Sequence, residues 1–148
     1  MNSENIKNLN SLLESEYIAI DSFESLINHA SNINIKTELQ NIQRTHKQHT
    51  LQISTKIQNL GGSPSCSIGI QGVIAETISN IKHIGTTDNT SYLKEALQGE
   101  FMAIKTINEL LANNSVFSNS TILNSIIADH KTNIDSLNNI INVSNNIK

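Results

Sequence analysis

The sequence predicts an all-α protein: a four-helix bundle of two pseudo-symmetric helical hairpins, joined by a long crossover that carries a short extra helix. Three observations predict it. Helix breakers are scarce, with one proline (Pro64) and six glycines in 148 residues, which leaves long stretches free to be helical. Apolar residues recur at alternating spacings of four and three, the period of a helix with one buried face. The second half of the chain also repeats the first at an offset of 84 positions.

The first helix is expected over about residues 5–30, with a seam of Leu9, Leu13, Glu16, Ile20, Phe23 and Ile27. The second, about 34–60, runs Ile35, Leu39, Ile42, His46, His49, Ile53, Ile57 and Leu60. Gly61, Gly62 and Pro64 then form a stop signal. The third, about 89–114, places Leu93, Leu97, Glu100, Ile104, Ile107 and Leu111 each 84 residues on from a counterpart in the first. The fourth, about 119–143, runs Leu123, Ile126, His130, Asn133, Leu137 and Ile141. The offset holds without a gap from Leu9 to Ile57, and about a quarter of the aligned positions are identical, mostly on the seam.

Links at 31–33 and 115–118 are short enough to make each half an antiparallel hairpin. Residues 61–88 have no counterpart in the repeat. Ile70, Ile74, Ile78 and Ile81 predict a short helix there, and the segment is long enough to run the ~40 Å length of the bundle. The expected organisation is one domain over 1–148: hairpin one about 5–60, crossover about 61–88, hairpin two about 89–143.

Composition narrows the function classes. Apolar residues make up 37 % and aromatics only 3 %, so the core must be built from Ile, Leu and Ala. Net charge is −3 with no basic cluster, which argues against nucleic acid as a partner. No run approaches the ~18 apolar residues of a membrane span. Glu4, Glu14 and Glu16 interrupt any signal-peptide core. The single cysteine, Cys66, rules out an internal disulfide framework. A cytoplasmic protein is expected. No phosphate loop, nucleophile elbow or paired cysteines appear, and no catalytic residue is nominated.

Glu16 and Glu100 stand where the seam calls for leucine. A buried carboxylate must be paired, protonated or bound to a metal. His46 and His130 follow thirty residues after each glutamate, and two hairpins related by a two-fold axis would bring all four to one level. His49 shares the face of His46; its repeat partner is Asn133. The candidate metal ligands are therefore Glu16, His46, His49, Glu100 and His130. Mixed imidazole and carboxylate donors suit one divalent transition metal: iron, manganese or zinc. The metal-free alternative is a buried polar cluster that fixes helix register. His29 and His83 fall near helix ends without a carboxylate at ligand spacing and read as surface residues. Cys66, with no basic neighbour, reads as incidental. Helical phase points Asp21 and Asp129 aside, as solvated residues; the alternative is a supporting role behind the metal ligands.

This arrangement resembles the ferritin-like di-iron carboxylate superfamily in helix order, ligand level and internal duplication. More narrowly, Leu9-Asn10 through Asp21 is similar to the opening LN-x-LL-x-x-EY-x-AID of small bacterial ferritin-like domains of undefined function. The resemblance implies a ferritin-like topology and a metal site on the residues above. Two positions depart from the pattern. Three residues before each histidine, where the superfamily has bridging glutamates, this chain has Gln43 and Ile127. Gln43 offers only a weak amide oxygen and Ile127 nothing. One divalent ion would balance Glu16 and Glu100; two would not. The implied function is a reduced, single-metal site in iron or oxidative-stress handling. The alternative is a non-catalytic structural or interaction bundle that has lost its metal. A homodimer through residues 61–88 stays open.

Overall fold

The computed structural model describes residues 2–66 and 89–146. The short helix expected on Ile70, Ile74, Ile78 and Ile81, and His83 with it, lie outside the described residues. Four helices are present among the described residues: α1 (Asn2–His29), α2 (Ile33–Asn59), α3 (Asn89–Asn113) and α4 (Thr121–Asn146). Among the described residues there is no strand.

Two apolar clusters fix the topology. One joins Leu9, Leu12 and Leu13 of α1 to Ile53 and Ile57 of α2, Ile107 of α3, and Leu123, Ile126 and Ile127 of α4. The other joins Phe23, Leu26 and Ile27 to Leu39, Ile42, Leu93, Leu137, Ile140 and Ile141. Helix α1 runs from the first cluster to the second and α2 returns. Helix α3 starts at the second cluster and α4 returns to it. Each hairpin is thus antiparallel, and α2 ends at the opposite end of the bundle from where α3 begins. That is the order of a bundle with one long crossover, not of simple up-down-up-down.

Local chemistry ends each element where the sequence signals it. The Asn32 side chain caps α2 by accepting from Asn34 N and Ile35 N at 2.9 and 3.2 Å. At the other end Gly61 adopts φ +83°. Its N–H donates to Gln58 O while Gly62 N donates to Ile57 O, both at 2.9 Å, the paired bonds of a Schellman stop. A Cβ at Gly62 would come within 2.8–2.9 Å of the Ile6 side chain, so the close approach of α2's end to α1 needs glycine there. In the α3–α4 link Phe117 is fully buried and closes the first cluster. Ser120 then caps α4 through Leu123 N.

The predicted seam is buried throughout α4, but in α1 and α3 it is uneven. Ile20, Leu97 and Ile104 are only partly covered. The described residues leave a groove of about 680 Å³ between α1 and α3. Small side chains, among them Ser15, Ala19, Ala96, Gly99 and Ala103, form its walls. Small residues at this spacing leave space that leucines would fill.

Candidate metal centre

Between the two apolar clusters every helix presents a polar side chain inward. Glu16 from α1, His46 and His49 from α2, Glu100 from α3 and His130 with Asn133 from α4 are all buried. The repeat accounts for the common level, because residues at equivalent positions in two antiparallel hairpins meet across their pseudo-two-fold axis. Phe23 stacks on His46 with ring centroids 5.4 Å apart, so the second apolar cluster packs directly onto the polar layer.

The contacts are dense. His46 is held between the two glutamates, with Nδ1 2.5 Å from Glu16 Oε2 and Nε2 2.6 Å from Glu100 Oε1. His130 Nδ1 hydrogen-bonds Glu100 Oε2. His49 Nδ1 lies 3.2 Å from Glu16 Oε1, and its Nε2 lies 3.0 Å from Asp129 Oδ2. Asn133 Nδ2 donates a long bond of 3.4 Å to Glu100 Oε1. His130 Nε2 is buried 3.3 Å from Glu16 Oε1, at an angle too oblique for a hydrogen bond, and has no hydrogen-bond partner.

Protonation follows from this geometry. A neutral imidazole has one N–H and one lone pair, so no neutral tautomer lets His46 donate to both glutamates. Burial alone would lower the histidine pKa values. Hydrogen bonds of His46 to both glutamates and of His130 to Glu100, with the charge of both carboxylates, outweigh it and raise His46 to about 10 and His130 to about 9. Burial alone would likewise raise the glutamates. Close contact with the His130, His46 and His49 rings, and the charge of His46, instead hold Glu16 well below the usual carboxylate range. Hydrogen bonds from His130 and His46 lower Glu100. Two carboxylates thus face two imidazolium ions, and the layer is neutral.

The same side chains fit a cation. His46, His49 and His130 each bring a ring nitrogen within 4.8 Å of the others, and two carboxylates interleave with them. The unpartnered nitrogen of His130 is a donor atom aimed into this cluster. Nitrogen and carboxylate oxygen together suit zinc, iron or manganese. A divalent ion would replace two protons without changing the net charge.

All five residues nominated from the sequence lie in this layer. Gln43 does not join them. It is buried, but its Nε2 donates to Ile20 O at 3.1 Å and to Glu24 Oε2 at 2.8 Å, so its amide is spent on α1. Ile127 belongs to the first apolar cluster. Asp129 departs from expectation in the other direction. It is part-exposed, as its phase predicts, yet it reaches across to α2 and accepts from His49. His29 is exposed at the end of α1 and Cys66 is exposed, as expected. The groove that the described residues leave between α1 and α3 is also lined by Glu16, Glu100, His46 and His130, so the layer borders that space.

A family model for a domain of unknown function, DUF2383, matches residues 4–113. The chain belongs to the DUF2383 family. No functionally curated protein matches it. Among solved structures, the DUF2383 chain is similar to a dodecameric thioferritin, the bacterioferritin-related protein of Bacteroides fragilis. The two share 16 % identity with a TM-score of 0.76, over 99 % of this chain and 89 % of that one. At that identity the likeness is one of fold: the DUF2383 bundle is ferritin-like. Among the described residues no helix is long and apolar enough to cross a membrane.

Proposed function

We propose that this protein is a ferritin-like metal-binding protein whose carboxylate/histidine layer holds one divalent transition metal ion, iron, manganese or zinc. It would act in iron or oxidative-stress handling in the cytoplasm. The observation that carries this reading is the buried His130 Nε2, which lacks a hydrogen-bond partner beside a carboxylate oxygen 3.3 Å away. Held 3.3 Å from that carboxylate without a directed hydrogen bond, this nitrogen is placed to meet a cation between the two.

A single ion is favoured over two by the environment of Gln43 and Ile127. No carboxylate stands at either position to bridge a second ion, and the Gln43 amide is turned to Glu24. The charge of Glu16 and Glu100 balances one divalent ion. When bound, such a metal supplies Lewis acidity and, if iron or manganese, one-electron redox capacity. The chain's own part is to hold the donors in place within a buried layer. The dodecameric assembly of the Bacteroides fragilis thioferritin supports a homo-oligomer here as well.

One observation favours a second reading, a metal-free structural or interaction bundle. The short bonds of His46 to Glu16 and Glu100 already satisfy most of the layer without a metal. Melting the chelator-treated protein with and without added Fe(II), Mn(II) or Zn(II) separates the two. The metal-binding reading expects a higher Tm with at least one ion, because a ligand of the native state stabilises by mass action. An unchanged Tm with all three would leave the structural bundle.

A further inference from the structure

The polar layer contains two kinds of contact, and their lengths differ in a way that bears on ligation. Two donors on one metal with bonds of ~2.0–2.1 Å stand about 2.8–3.0 Å apart at octahedral angles and about 3.3–3.4 Å apart at tetrahedral ones. Glu16 Oε1 is 3.2 Å from His49 Nδ1 and 3.3 Å from His130 Nε2, close to the tetrahedral value. The contacts of His46 to Glu16 Oε2 and Glu100 Oε1, at 2.5 and 2.6 Å, are shorter. They are direct charge-assisted hydrogen bonds, as is that of His130 Nδ1 to Glu100.

Taking the single-metal reading as its basis, we infer that the ion is held by Glu16 Oε1, His49 Nδ1 and His130 Nε2. His46 and Glu100 then brace the site without touching the metal, and Asp129 is the positioning residue for His49. Each inferred donor residue has its far atom held by a group of opposite character. His130 gives Nδ1–H to Glu100, and Glu16 accepts from His46 on Oε2. His49 gives Nε2–H to Asp129 at 3.0 Å.

The last bond suits a ligand histidine. With a cation between His49 Nδ1 and Glu16 Oε1, the ring proton stands on Nε2, where the Asp129 carboxylate accepts it. Without a cation, the 3.2 Å contact of Nδ1 with Glu16 is a hydrogen bond. Ligand histidines whose far nitrogen donates to a carboxylate are more basic and better oriented, and loss of that carboxylate typically weakens a metal about 10–100-fold. Asp129 can play this part although half its side chain is in solvent, since only one oxygen need reach His49. The repeat partners of this pair, Thr45 and Asn133, form no such bond: Thr45 donates to Asn41 O on its own helix. The inferred site is therefore one-sided.

Titration of the full chain with cobalt(II), followed by its visible absorption, tests the assignment against the His49→Ala, Asp129→Ala, Asp129→Asn and His46→Gln variants. Wild type is expected to take up about one equivalent. Asp129→Ala keeps the same absorption band, binds about 10–100-fold more weakly, and stays folded when metal-free. Asp129→Asn, which still accepts from Nε2, recovers part of the loss. His49→Ala changes the band or loses it, whereas His46→Gln keeps it. Unchanged affinity in Asp129→Ala would overturn the inference and leave the single-metal reading standing. So would a band altered by His46→Gln and untouched by His49→Ala. Absence of uptake by wild type would overturn both. The half-exposed position of Asp129 keeps that arm readable even where substitution of buried His46 impairs folding.

Discussion

The two hairpins repeat one sequence pattern and differ around one shared pair of residues. Glu16 with His46 and Glu100 with His130 hold the same positions 84 apart, and both glutamates lie in one buried layer. Around them the halves diverge. Hairpin one has Gln43 and His49; hairpin two has Ile127 and Asn133. His49 reaches Glu16 and Asp129, while Asn133 makes one long bond to Glu100. The difference teaches that paired buried charges are hard to lose singly. Removing one partner strands the other in a low-dielectric interior, whereas the Gln43 and Ile127 positions differ between the halves without leaving a charge unpaired.

The largest break in this comparison comes from Glu16, the residue on which His46, His49 and His130 all converge. Glu16→Ala is expected to abolish metal uptake and to cost about 3–5 kcal/mol of stability in the metal-free protein, read by chemical denaturation. Next in size is the effect of pH on the metal-free protein. His46 and His130 have pKa values raised to about 10 and about 9 against the ordinary ~6.5. The native state therefore holds more protons than the unfolded chain between these limits, and stability falls as pH rises across them. Melting in chelator should show Tm dropping from pH 7 to 10. Metal affinity should rise over the same range, because the ion competes with the proton on His130. A metal-free Tm that climbs toward pH 10 would contradict the paired imidazolium layer.

A smaller effect sharpens the asymmetry between the halves. Asn133→Ala removes only the 3.4 Å bond to Glu100 and should weaken metal binding less than His49→Ala does at the equivalent position. Equal losses by isothermal titration would make the site symmetric. Smallest of all, Gln43→Ala removes bonds to Ile20 O and Glu24, costing roughly 1 kcal/mol and leaving metal stoichiometry unchanged. A lost equivalent of metal would instead place Gln43 among the ligands.

Much of the fold is legible in the sequence because the repeat states it twice. The 4–3 spacing of Leu123, Ile126, His130, Asn133 and Leu137 is a property of one helix, and all five are buried. A glutamate in such a seam declares itself by being the wrong residue there. What the sequence does not carry are distances between helices. Asp129 reads as solvated from its own helix, and its bond to His49 depends on how closely α4 packs on α2. The direction of Gln43 is set by a carboxylate on α1 that no spacing in α2 reveals. Phe117 lies in a link outside any period, yet it is fully buried. The α1/α3 groove is invisible for the same reason: small residues are compatible with close packing or with open space, and only the packed bundle distinguishes them.

The central claim is that this buried layer holds one metal ion, and the most direct test is the metal content of protein purified without chelator, followed by titration of the stripped protein. About one divalent transition metal per chain, restored on titration and absent in Glu16→Ala, is the predicted result. Well under one metal per chain with no uptake of iron, manganese or zinc would contradict it.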